Sequence, residues 1–321
     1  MRYACSLVFF LLASVASVAA AQSYPSKPVR VIVPFPPGAG VDIVTRAVSG
    51  RLGEALGQQL VIDNRAGAGG IVGAEVAAKA PPDGYTLLMG TAGMLTVVPH
   101  LNSRLPYSPE RDFAPVSLVA SVPSMLVVHP SLPVKSVKDL VALARAKPGV
   151  LNYASTGNGT LPHLAAEFFK SQAKVNMVHV AYKGSAPAIT DLLSGQVEVF
   201  FGNMLSVIPH VRSKRLRALA VTSLKPQAVA KDVPTMAESG FPGFEAGTWF
   251  GLLLPAGTPG NIIARLHADV AKTVHLPDVR ERLAGQGATT IGNTPEQFAA
   301  YIRSESAKWA KVLKASGVRA D

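Results

Sequence analysis

Short apolar, β-branched runs alternate with amphipathic stretches along this chain, and glycine-rich turns mark the junctions. Residues 29–35 read VRVIVPF, the composition of a strand buried on both faces. Pro36-Pro37-Gly38-Ala39-Gly40 then turns the chain into a helical stretch from about residue 41 to 56. Further strands are expected at 60–64 and 86–89, with a helix over 71–80 and a turn at Pro81-Pro82-Asp83-Gly84. The theme returns with strands at 125–129, 151–154, 178–181, 197–201 and 216–221, and helices at 137–146 and 160–172. Strands alternating with helices predict an α/β fold with a parallel sheet covered on both faces. Beyond Gly240 the pattern changes to an apolar run at 248–254 and helices at 262–274, 278–284 and 295–315. In the last of these Phe298, Ile302, Trp309 and Leu313 share one face, which is expected to pack on a core.

The first residues read as an export signal. Arg2 precedes an uncharged apolar run at 7–18, and Ala19-Ala20-Ala21 offers a small-residue cleavage site. The run is shorter than the 20 or so residues that cross a bilayer. Cleavage before Gln22 would place the protein in a bacterial periplasm. The only cysteine, Cys5, lies inside this segment, so the exported chain is expected to fold without disulfides or thiol chemistry. The formal charge of +11 fits an affinity for anions. The Lys and Arg residues are scattered, and with export this argues against nucleic acid as a partner.

Three turns carry the chemistry: residues 36–42 (PPGAGVD), 64–70 (NRAGAGG) and 155–160 (STGNGT). Each stands between a strand and a helix. The first N–H groups of a helix lack intrahelical partners and carry partial positive charge, so such turns suit a carboxylate or phosphate. Glycine also admits a ligand close to the backbone. Dinucleotide binding is disfavoured: Ile43 and Val72 stand where the third glycine of that fingerprint would be. No nucleophile elbow occurs, and the seven histidines are dispersed without metal-ligand spacing, so no cofactor and no metal are expected.

The chain resembles the Bug family, the TctC-like receptors of tripartite tricarboxylate transporters. The matches are Tyr24-Pro25-x-x-Pro28, Val33-Pro34-Phe35-Pro36-Pro37-Gly38 with Asp42, Asn64-Arg65-x-Gly67-Ala68-Gly69-Gly70, and Pro82-Asp83-Gly84-Tyr85-Thr86-Leu87-Leu88. They continue with Gly157-x-Gly159-Thr160-x-x-His163, Tyr182-Lys183-Gly184, Asp191-Leu192-x-x-Gly195, and Trp249 with Gly251. The resemblance implies a two-lobed fold like type II periplasmic binding proteins, with a ligand cleft between the lobes. Lobe 1 would comprise 22–122 plus 248–321 and lobe 2 would comprise 123–247, with hinges near Val122-Pro123 and Ala246-Gly247.

Carried onto this sequence, the resemblance implies that Pro36–Asp42 and Ser155–Thr160 face each other across the cleft. The N–H groups of Gly38, Ala39, Gly157 and Gly159 would hold carboxylate oxygens, and Thr156 and Thr160 would add hydroxyls. Asp42 would shape its own turn, because a carboxylate beside a carboxylate is repulsive. Asn64, Gly67 and Gly69 would close one side, with Thr91, Pro36 and Asn158 nearby, His163 reaching from the following helix, and Tyr182 and Phe201 as walls. The family often has two glycines after the double proline; Ala39 here adds a methyl at the mouth. The function implied is capture of a small carboxylate by lobe closure for a membrane transporter, by a monomer. A sensor feeding a kinase is the alternative. An enzyme would have only Asp42 and His163 to serve as a base.

Overall fold

The computed structural model describes residues 24–316, so the expected export signal and its cleavage site lie outside the described residues. β1 (Val29–Val33), α1 (Gly40–Leu56), β2 (Leu60–Asn64), α2 (Ile71–Ala78) and β3 (Thr86–Thr91) follow one another as the alternation predicts. A π-helical turn (Gly93–Val97) and the short α3 (Val98–Leu101) come next, then the long β4 (Phe113–Val128). The middle of the chain gives α4 (Val137–Ala146), β5 (Asn152–Ser155), α5 (Leu161–Ala173), β6 (Val178–Ala181), α6 (Ser185–Ser194), β7 (Val199–Asn203), α7 (Met204–Arg212) and β8 (Arg217–Val221). The last part gives β9 (Gly247–Pro255), α8 (Gly260–Val274), α9 (Pro277–Ala284), β10 (Thr289–Thr290) and α10 (Pro295–Ser316).

The strands order as β2-β1-β3-β9-β4-β7-β5-β6, with β8 and β10 also on β4. The expected parallel pairing holds within two sets of strands but not between them. β1, β2 and β3 are parallel, as are β5, β6 and β7, but β9 runs antiparallel to both β3 and β4. β4 also runs antiparallel to β7 and β8. The two parallel sets are built by strand–helix–strand crossovers, whereas β4 and β9 carry the chain between them.

β4 begins well before the expected strand at 125–129. Pro115 and Pro123 hid it, since proline is confined to strand edges and irregularities. Both sit at such places. The register with β9 slips between Pro115 and Ser117, and Pro123 is the last residue of β4 paired to β9 before Ser124 begins the pairing with β7. β4 is therefore one strand shared by two sheet regions. β9 crosses beside it, starting at Gly247 opposite Pro123.

Helices cover both faces. β1 and β3 direct Val31, Val33, Leu87 and Met89 toward α1 and α8, while Ile32 and Leu88 point to the opposite face with α2 and α10. Phe298, Ile302, Trp309 and Leu313 of α10 are all buried there, as their spacing predicts. In the second region Phe169, Phe201 and Phe244 fill the core under α4 and α5. Among the described residues no helix is long and apolar enough to cross a membrane.

Candidate functional site

A cavity opens where the two sheet regions face each other. The helix starts that follow β1, β5, β6 and β7 surround it. Ala39, Gly40 and Val41 begin α1, Thr160, Leu161 and Pro162 begin α5, Ser185 begins α6, and Asn203 caps α7. Phe35, Gly69, Thr91, Gly93, Thr156, Thr248 and Phe250 complete the wall. Among the described residues no Lys, Arg, His, Asp or Glu lines it. Its polar groups are neutral donors and acceptors set against the positive ends of helices.

The turn before α1 is built by a buried carboxylate. Asp42 Oδ2 accepts the Gly38 N–H at 2.9 Å, and both carboxylate oxygens accept from Arg46 Nε at 3.0 and 2.9 Å. Asn64 Nδ2 donates to Asp42 Oδ1 at 3.0 Å and to the Phe35 carbonyl at 2.9 Å. Burial alone would raise the Asp42 pKa. The hydrogen bonds from Arg46, Gly38 and Asn64, with the Arg46 charge, outweigh it and hold the carboxyl below its usual range. Asp42 thus shapes its own turn. The expectation that Gly38 and Ala39 offer N–H groups to a ligand is corrected, because Gly38 donates to Asp42 and Ala39 donates to the Pro36 carbonyl at 3.2 Å. The donors left over are one step further on, at Gly40 and Val41, where the first turn of α1 supplies no acceptor.

The same correction applies to the loop after β5. Gly157 N–H donates to Ser155 Oγ at 3.1 Å, and Gly159 N–H donates to His163 Nδ1 at 3.2 Å. Thr160 Oγ1 donates to the Gly157 carbonyl at 2.6 Å. The loop closes on itself, leaving Thr156 and Thr160 at the cavity. Behind it lies a stack of rings, His163 on His179 at 4.2 Å between centroids and His179 on Tyr153 at 4.9 Å. Tyr153 donates to Glu167, which also pairs with Lys170 at 2.6 Å. Burial is the main force raising the Tyr153 phenol, and Glu167 adds to it.

Of the residues expected at the site, Ala39, Gly69, Thr91, Thr156 and Thr160 line the cavity. Pro36, Gly38, Asp42, Asn64 and Gly67 belong to the turns behind it, and Gly157, Asn158, Gly159 and His163 to the closed loop. Tyr182 donates to Asp191 at 2.7 Å, and its phenol is pushed up to about 12 by burial and by that carboxylate. Phe201 is fully buried in the aromatic core of the second region. Sequence reasoning placed the 36–42 turn at the cleft without singling out Gly40 and Val41, and it missed Ser185 and Asn203. A helix-start signal marks the last two, since Ser185 follows Gly184 and Asn203 is a favoured N-cap residue ending an apolar run. Phe35, Gly93, Leu161, Pro162, Thr248 and Phe250 carry no local signal of this kind.

The two halves meet closely around the cavity. A methyl built on Gly184 would lie 2.7 Å from Pro36 Cδ, and one on Gly159 would lie 2.9 Å from Leu101 Cδ1. Bare glycine allows both approaches. Among the described residues no group of three His, Cys, Asp or Glu is placed to hold a metal ion.

Residues 44–318 match the family model described as tripartite tricarboxylate transporter family receptor. The chain is 40% identical over 315 residues to Protein BugT of Bordetella pertussis, covering 97% of this chain and 96% of that one. Its fold is similar to that of the periplasmic binding protein BugD, with a TM-score of 0.89, 34% identity and coverage of 92% and 99%. It is also similar to R. palustris Rpa4515 solved with adipate, at TM-score 0.90, 38% identity and coverage of 92% and 99%. MatC from Rhodopseudomonas palustris, solved with bound malate, superposes at TM-score 0.86 with 32% identity and coverage of 90% and 100%. The α/β architecture is thus the two-lobed fold of periplasmic binding proteins.

Proposed function

The chain belongs to the tripartite tricarboxylate transporter receptor family, and from that premise we propose that it captures a small carboxylate in the periplasm by closing its two lobes and delivers it to a membrane transporter. The observation that carries this reading is the cavity between the two sheet regions, ringed by helix starts and, among the described residues, lined by no ionisable side chain. N-terminal N–H groups and hydroxyls suit an oxyanion. A carboxylate that bridges both lobes stabilises the closed form to the extent that it binds that form better than the open one. Lobe 1 is taken as 22–122 with 248–321 and lobe 2 as 123–247, hinged where β4 and β9 cross at Pro123 and Gly247. We take the protein to act as a monomer and without catalysis, since the residues that would have served as a base are engaged. Asp42 is tied to Gly38, Arg46 and Asn64, and His163 Nδ1 accepts the Gly159 N–H.

Thermal unfolding against adipate, malate, citrate, glutamate and benzoate tests the reading. A ligand at about 100 times its Kd adds about 2.7 kcal/mol to stability. A raised midpoint with a subset of these acids, and scattering that contracts with the same subset, is the expected result. No shift with any acid overturns the carboxylate reading, and a shift without contraction overturns closure.

A further inference from the structure

Asn203 packs directly against Gly40 at the wall of the cavity, each residue from its own lobe. Asn203 caps α7, and its Oδ1 accepts the Leu205 N–H at 3.0 Å. That bond fixes the amide orientation, because a backbone donor requires the oxygen end. Asn203 is 8% exposed and lines the cavity, and its Nδ2 makes no hydrogen bond among the described residues. A methyl built on Gly40 would lie 2.7 Å from Asn203 Oδ1 and 3.0 Å from Nδ2. Gly40 is the first residue of α1 and its backbone is not left-handed, so conformation does not demand glycine there. The space beside Asn203 does.

We infer that Asn203 is the residue through which lobe 2 reads a carboxylate seated on the N-terminus of α1, and that Gly40 is bare so that the amide can reach it. The inference rests on the carboxylate reading of the cavity. The unpaired donors of Gly40 and Val41 come from lobe 1, and the Asn203 amide comes from lobe 2. Only with the lobes together do both sets bear on one anion. The Asn203 contact therefore belongs to the closed form and supplies the differential affinity that closure requires.

Two variants test this by calorimetry, thermal unfolding and scattering with the five acids above. Asn203→Asp keeps the side-chain size and an oxygen to cap α7, but it replaces the amide donor with an anionic oxygen. Its unliganded midpoint should match the wild type, and its affinity for whichever acid binds the wild type should fall by at least about thirtyfold. Gly40→Ala puts a better helix former in α1. Its methyl either holds the lobes apart or displaces the Asn203 amide, so affinity should fall about tenfold and contraction should be lost. Both variants binding within about twofold of wild type would overturn the inference and leave the carboxylate reading intact. If Asn203→Asp misfolds, Gly40→Ala decides: weakened binding supports the inference, and unchanged binding overturns it. A wild-type protein that binds none of the acids removes the carboxylate reading and this inference with it.

Discussion

Asp42 is a buried anion beside a cavity that would receive another, and its partners explain how it is tolerated. Its charge is spent on Gly38, Arg46 and Asn64, so it acts inward on the turn. Its folded pKa lies below the ordinary value of 3.8. The stability it contributes is therefore complete above that value and is lost as pH falls through the lower folded one. Asp42→Asn should cost about 1–3 kcal/mol at neutral pH. Urea unfolding from pH 7 down to about pH 2 should show the gap to wild type narrowing only below the ordinary carboxylate range. A gap independent of pH would mean that the turn does not depend on the ionised form. The inward role of Asp42 was legible from charge alone. Which N–H groups remain for a ligand was not, because Gly38, Ala39, Gly157 and Gly159 are each claimed by a partner within four residues, through geometry that glycine content does not encode.

Trp249 and Gly251 illustrate the same limit among elements. As a sequence pair they mark the family without stating a role. On β9 they form the bed of α10: Trp249 meets the Phe298 ring edge-to-face at 5.5 Å, and a methyl on Gly251 would come within 2.6 Å of Phe298 Cε1. Gly251→Ala should overpack this contact at a cost of about 1–3 kcal/mol. Adding Phe298→Leu should recover part of the loss, a coupling above about 0.5 kcal/mol in a double-mutant cycle. Additive losses would mean that the two residues do not share the contact. The face of α10 and the parallel strands were legible because their periodicity reports burial directly. β4 was legible only in its last residues, since its prolines sit at irregularities that only the pairing with β9 and β7 reveals. The π-helical turn at Gly93–Val97 lies in an apolar stretch with no period to read, yet it brings Gly93 to the cavity wall.

The charge of the whole molecule and the charge of its cavity are separate matters. The sequence carries +11, while among the described residues no ionisable side chain lines the cavity. Long-range attraction of an anion comes from the dispersed Lys and Arg, and that field is screened as the Debye length shrinks from about 10 Å at 0.1 M to about 3 Å at 1 M salt. On the function proposed above, the contacts made after arrival would involve helix starts, hydroxyls and one amide inside a closed site, which salt would hardly reach. The two steps should therefore separate in kinetics. For a carboxylate that binds, kon should fall about two- to fivefold between about 0.1 M and about 1 M NaCl, whereas koff should stay within about twofold. Stopped-flow measurement of both constants at constant pH is the check. A koff that rises steeply with salt would place an exposed cation against the bound anion, and Arg46, whose guanidinium pairs with Asp42 in the α1 turn, would be the first residue to replace.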